Sequence, residues 1–147
     1  MIRTFTGIAV VFGLMVGAIG SAIGQNSARV ETTGGWKKYD GNPVMGGKYG
    51  TCFDISVLRE GGKYRMWLSW RPQKSVAIVE SADGIHWSEP PKIVLGPRPE
   101  TGWEDDINRP IVLKRRDGYH MWYTGQADGH SAIGYAVSED GLNWKRM

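Results

Sequence analysis

Tyr64-Arg65-Met66-Trp67-Leu68-Ser69-Trp70 returns 55 residues later as Tyr119-His120-Met121-Trp122-Tyr123-Thr124-Gly125. Downstream of each copy a second block recurs: Ser81-Ala82-Asp83-Gly84-Ile85-His86-Trp87 and Ser138-Glu139-Asp140-Gly141-Leu142-Asn143-Trp144, offset by 57. Upstream, Val57-Leu58-Arg59 matches Val112-Leu113-Lys114, again offset by 55. Three blocks in the same order are hard to ascribe to coincidence, and a period of this size marks a repeat architecture. The second copy carries its two extra residues near Ala127-Asp128-Gly129-His130.

Each copy reads as four strands. Phe53 to Glu60 is apolar and mostly continuous, and Gly61-Gly62 is the two-residue turn of a tight hairpin. Lys63 to Trp70 alternates, with Tyr64, Met66 and Leu68 facing one way and Arg65, Trp67 and Ser69 the other. Ser75 to Ser81 forms the third strand. Asp83-Gly84 turns the chain into a short outer strand opening at Ile85-His86-Trp87. The second copy repeats the scheme with Pro110–Lys114, Tyr119–Thr124, Ala132–Ser138 and Leu142–Lys145. No stretch after residue 25 has a helical period. The fold class is therefore all-β, built from four-stranded antiparallel propeller blades. A lone blade cannot bury both faces and must stack on neighbours, so two blades imply a partial propeller, expected to be a truncated piece of a longer one. Exposed blade faces and edges would then promote self-association. A small complete β-sandwich is the competing architecture.

Residues 1–24 differ from the rest. Arg3 gives a positive start, Ile8 to Ile19 is apolar, and Ala22 and Gly24 are small. That is the layout of a secretory signal peptide. The apolar run falls short of the roughly 20 residues of a membrane span, although an uncleaved N-terminal anchor remains the alternative. The expected organisation is a signal peptide at 1–24, a lead segment at 25–50 and two blades within 51–147, at about 51–98 and 103–147. Export makes the protein secreted or periplasmic, with no membrane association after cleavage.

The formal charge is +3, and removing residues 1–24 takes one Arg and no acid, leaving +2. The basic residues are scattered. Their one cluster, Lys114-Arg115-Arg116, precedes Asp117-Gly118 and reads as a solvated hairpin tip, so no nucleic-acid partner is expected. Cys52 is the only cysteine, which excludes an intrachain disulfide and a cysteine-based metal site. It reads as a small buried side chain. No phosphate-cradling glycine loop, serine-hydrolase elbow or zinc spacing occurs. No cofactor and no metal ligand are assigned.

The blade core Tyr119–Gly125, continued by Ile133–Trp144, and the entry Tyr39-Asp40-Gly41-Asn42-Pro43-Val44 resemble the five-bladed β-propeller glycosidases, the superfamily of glycoside hydrolase families 43 and 32. The resemblance covers roughly residues 36–147. The repeated Ser-x-Asp-Gly-x-x-Trp also resembles the Asp box of sialidase propellers, in which Asp83 and Asp140 are structural turn residues.

What the resemblance implies is glycoside hydrolysis by paired carboxylates, on an oligo- or polysaccharide substrate. Its members take an Asp from the first blade as base or nucleophile, an Asp from the next blade as transition-state stabiliser, and a Glu from the third as general acid. Asp54 matches the first carboxylate; a buried Asp capping its own turn is the alternative. The second falls in Trp103-Glu104-Asp105-Asp106-Ile107-Asn108-Arg109-Pro110, with Asp106 chosen and Asp105 next. Arg109 is expected to pair with one of these acids and keep it ionised, and Asn108 to bind substrate beside it. A charged surface loop is the bland reading of this stretch. Trp70 and Arg71, at the end of an inner strand, are expected to stack a sugar face and bind its hydroxyls. The general acid is expected outside this chain. A glycoside phosphorylase on the same fold and a non-catalytic sugar-binding propeller are the rival functions.

Overall fold

A computed structural model describes residues 34–147. The signal peptide expected at 1–24 and the first part of the lead lie outside the described residues. Within the unit Lys38–Met147 the chain forms two four-stranded antiparallel sheets. The first has the order β1 (Cys52–Glu60), β2 (Lys63–Trp70), β3 (Ser75–Ser81), β4 (Lys92–Leu95). The second has β5 (Asp106–Arg115), β6 (Gly118–Ala127), β7 (His130–Ser138), β8 (Lys145–Arg146). Among the described residues there is no α-helix, and no helix long and apolar enough to cross a membrane.

The inner three strands of each blade follow the sequence pattern. Gly61 and Gly62 both take left-handed φ, 58° and 81°, so Glu60 pairs directly with Lys63. The outer strands fall later than expected. Ile85-His86-Trp87 is part of a turn, and β4 begins only at Lys92. The cause is the Asp83 carboxylate, which accepts from the backbone N–H of Ile85 and His86 at 2.8 Å each and holds those residues in the turn. Asp140 does the same with Leu142 and Asn143 at 2.8 Å. The His86 imidazole, 2.7 Å from Asp83, and then the His86 and Ile85 N–H groups hold Asp83 well below the usual carboxylate range, and the Asn143 and Leu142 N–H groups do the same for Asp140. The two extra residues of the second copy extend β6 and β7 to an Ala127–His130 pairing around Asp128-Gly129, where the first copy has a 3-10 turn at Arg71–Gln73.

The alternation of β2 sorts its side chains onto two different cores. Met66 and Leu68 join Ala77 and Val79 beneath Met45, Cys52, Trp70 and Trp87. Trp67 joins Val76, Ile78 and Leu95 against Ile107, Val112, Tyr119, Met121, Tyr123 and Ala136 of the second sheet. This second core is the interface between the blades. Each large side chain it removes from water contributes ~1.5–3 kcal/mol.

Hydrogen bonds set the register of that interface. Arg65 donates to the Tyr119 hydroxyl at 3.0 Å and to the Asp140 carbonyl at 2.8 Å. Trp67 Nε1 donates to the Gly141 carbonyl at 3.0 Å. The Ser69 hydroxyl accepts from the Arg109 N–H at 2.7 Å, and the Ser56 hydroxyl from the Val112 N–H at 3.0 Å. Gly141 permits the approach: a Cβ there would lie 2.9 Å from the Trp67 ring.

Candidate active site

The innermost strand of each blade opens with an irregularity. In β1 the pairing with β2 slips between Phe53 and Ile55. In β5 the pairing with β6 slips between Asn108 and Ile111. A bulge of this kind re-aims a side chain. The residues at the slips are Asp54, with φ 44°, and Arg109, with φ 53°. They are 55 positions apart, the period of the repeat. One backbone device thus recurs in two blades and carries opposite charges.

Blade stacking brings the two together. Arg109 Nε lies 3.3 Å from Asp54 Oδ2, with side chains 54% and 43% exposed. An ion pair this wet contributes ~0–1 kcal/mol. A non-glycine residue held in the left-handed region costs of order 1–3 kcal/mol. Two such residues cost more than the pair returns, so stability does not explain them. Such strain gathers at functional sites.

The pair forms one wall of a cleft of about 530 Å³, lined also by Ile55, Pro110, Ile111, Trp122 and Thr124. A charged pair beside an aromatic and aliphatic wall suits a sugar ring, with hydroxyls to bind on one edge and C–H faces to cover.

The other predicted residues connect to this pair in part. Arg109 Nη1 donates to Asn108 Oδ1 at 3.4 Å, and Asn108 Nδ2 donates to Asp106 Oδ1 at 3.1 Å and to Gln126 Oε1 at 2.7 Å. Asp54, Arg109, Asn108 and Asp106 therefore lie along one line of polar contacts. The expectation that Arg109 pairs with Asp105 or Asp106 is corrected: its carboxylate partner is Asp54 of the other blade, because the bulge turns residue 109 toward β1. Asp105 is half-buried ahead of β5. Trp70 and Arg71 are engaged elsewhere. Trp70 Nε1 donates to the Tyr49 carbonyl at 2.8 Å, and the Arg71 guanidinium lies 4.8 Å over the Phe53 ring.

The sequence reading missed Trp122 and Thr124. The repeat offers the signal: they stand 55 residues after Trp67 and Ser69, the residues that bind the next blade. Among the described residues no group of three or more His, Cys, Asp or Glu comes together to hold a metal ion.

No protein-family model matches the chain. Two uncharacterized proteins of Mycobacterium tuberculosis are 29% identical over 143 residues, a match spanning 88% of this chain but only 44% of theirs. Among solved structures, a thermostable family-43 glycoside hydrolase is 26% identical with a TM-score of 0.57, covering 72% of this chain and 34% of that one. A β-1,2-mannobiose phosphorylase from Listeria innocua is 19% identical with a TM-score of 0.55, covering 65% of this chain and 30% of that one. The native arabinanase of Bacillus subtilis is 19% identical with a TM-score of 0.52, over 63% and 35%. The chain thus spans under half the length of these curated relatives and about a third of the solved structures. Its two blades have the fold of the five-bladed β-propeller glycoside hydrolases and phosphorylases.

Proposed function

We propose that this chain forms the carbohydrate-facing blades of an exported glycosidase-type propeller, with Asp54 as the carboxylate that serves glycosidic bond cleavage. The observation that supports this most is the Asp54–Arg109 pair, held across two blades by strained bulge residues at the mouth of a cleft with an apolar wall. Asp54 acts as base or nucleophile. Arg109 orients its carboxylate and binds an oxygen of the substrate. Asn108 carries this line to Asp106, the second carboxylate, with Asp105 beside it. Trp122 offers a ring face to the sugar in place of the Trp70 and Arg71 contact expected at first. The general acid comes from a further blade. Residues 1–24 act as the export signal, 25–50 as the lead and 51–147 as the two blades.

A second reading, phosphorolysis, draws support from Arg109, which gives the cleft a fixed cation able to hold phosphate in place of water, and from the phosphorylases that share the fold. This chain without the general acid is expected to be inactive, so the test is to incubate a form of the protein that carries the further blade with arabino-, galacto- and manno-oligosaccharides, with and without inorganic phosphate. Free sugar in both cases supports hydrolysis; sugar 1-phosphate formed only with phosphate supports the second reading. Asp54→Asn is expected to lower either rate by on the order of 10²–10⁴. Sugar binding that persists in this variant without turnover in the parent would favour a non-catalytic binding module instead.

A further inference from the structure

The bulge that turns Arg109 toward Asp54 interrupts the β5–β6 pairing between Asn108 and Ile111. An interrupted ladder leaves backbone N–H groups in need of another acceptor. Two residues fall in the gap. Pro110 has no N–H to satisfy. Arg109 has one, and it leaves its own sheet: the Ser69 hydroxyl of the first blade accepts it at 2.7 Å. Ser69 stands on β2 and is 1% exposed, so water does not compete for that place.

The backbone of Arg109 needs such a hold. Its φ is 53°, a region that side-chain-bearing residues rarely enter, and a residue before proline is steered toward extended backbone instead. None of Asn108-Arg109-Pro110 is glycine, so the conformation is imposed from outside the strand. Two further bonds fasten β5 to the first blade: the Ile107 N–H donates to the Lys74 carbonyl at 3.1 Å, and the Val112 N–H to the Ser56 hydroxyl at 3.0 Å. Both come from residues that pair with β6 on either side of the gap. The Ser69 bond alone acts within it. At the other end of the side chain the contacts are looser. Arg109 Nε is 3.3 Å from Asp54 Oδ2 and Nη1 is 3.4 Å from Asn108 Oδ1, on a side chain 54% exposed. The backbone therefore fixes where the guanidinium reaches.

We infer that Ser69 is a positioning residue of the Asp54–Arg109 pair: its hydroxyl holds the Arg109 N–H in the bulge and so sets the guanidinium against the Asp54 carboxylate. Ser69 is not among the residues that line the cleft beside the pair, and it acts only through Arg109. Its hold on the N–H stands without any glycosidase chemistry, whereas its effect on turnover rests on Asp54 and Arg109 being the substrate site. The repeat supplies a conservative replacement, because Thr124 occupies the corresponding place in the second blade.

Two measurements test this. The first is amide hydrogen exchange, read by nuclear magnetic resonance on this chain, in the parent, Ser69→Ala and Ser69→Thr. The Arg109 amide is expected to exchange slowly in the parent and in Ser69→Thr. In Ser69→Ala it should exchange roughly 5- to 10-fold faster, while Ile107 and Val112 stay protected and so report that the blades remain stacked. The second is kcat/KM on the oligosaccharide that the parent cleaves, in a form that carries the further blade. Ser69→Ala should lower it by about 10- to 100-fold, and Ser69→Thr should restore it. In an Arg109→Gly background Ser69→Ala should add no loss, because the N–H remains but no guanidinium is left to place. An Arg109 amide that is unprotected in the parent, or equally protected in Ser69→Ala, overturns the hold. Undiminished kcat/KM in Ser69→Ala, or an equal loss in both backgrounds, overturns the positioning role. A parent that cleaves no sugar speaks against the glycosidase reading, and the exchange rates then decide the role of Ser69.

Discussion

Trp67 and Trp122 occupy the same place in the repeat, yet one is fully buried and the other 36% exposed. Replacing each by Phe should therefore have unequal consequences. At Trp67 the change removes the indole bond to the Gly141 carbonyl at 3.0 Å and part of the ring surface against Tyr119 and Trp144. A neutral hydrogen bond contributes ~0.5–1.5 kcal/mol net, and an orphaned buried partner would add ~1–3 kcal/mol. The orphan term is small here, because Trp144 Nε1 also donates to that carbonyl, at 3.1 Å. Adding the lost ring contacts gives a cost of about 1–3 kcal/mol. At Trp122 a surface substitution costs about 0.5 kcal/mol or less. Urea unfolding followed by circular dichroism, at concentrations low enough to hold the chain monomeric, measures both. An unchanged slope with a lower midpoint assigns the loss to the native state. Equal losses at the two sites would refute the reasoning, since they would mean that the blades do not stack through Trp67.

Three further outcomes are expected. Arg109→Gly relieves a left-handed residue while breaking an exposed ion pair and a long 3.4 Å bond to Asn108, so stability should hold or rise by ~1 kcal/mol as oligosaccharide affinity falls; a clear drop in the urea midpoint would contradict the strain argument. Glu104 is 1% exposed and accepts from the Tyr123 hydroxyl at 2.5 Å and from Arg146 at 3.0 Å. Glu104→Leu strips Arg146 of its carboxylate partner, leaving its bond to the Gly96 carbonyl, and should cost about 3–5 kcal/mol, visible in thermal unfolding, whereas a loss near zero would show that Arg146 simply turns to water. Burial and the Glu104 carboxylate push the Tyr123 hydroxyl up from 10.0 to about 12. The folded state thus holds this proton more tightly than the unfolded one, so its contribution is complete below pH 10.0 and is lost as pH climbs to about 12. Alkaline titration of stability should show that decline, and Tyr123→Phe should lack it.

The repeat and the two blades were legible because they rest on local rules. Alternation gave the faces of Lys63–Trp70, Gly61-Gly62 gave the hairpin, and β2 and β3 begin and end where the pattern places them. The outer strands were misplaced because a side-chain acceptor, Asp83 or Asp140, competes with strand pairing for the next backbone N–H groups. Asp54 and Arg109 were each picked from sequence as candidates, but their partnership was not. It spans 55 positions and depends on a bulge whose φ no residue type announces, since neither is glycine.

By itself the sequence determined strand order, turn positions and which side chains share a face. Those follow from a period of two and from the φ that particular residues allow. Only the tertiary structure decided which of two equivalent tryptophans is core and which is surface, and which carboxylate receives Arg109. The same motif lies in both blades, and burial depends on whether a neighbouring sheet covers it, which stacking sets and local pattern cannot.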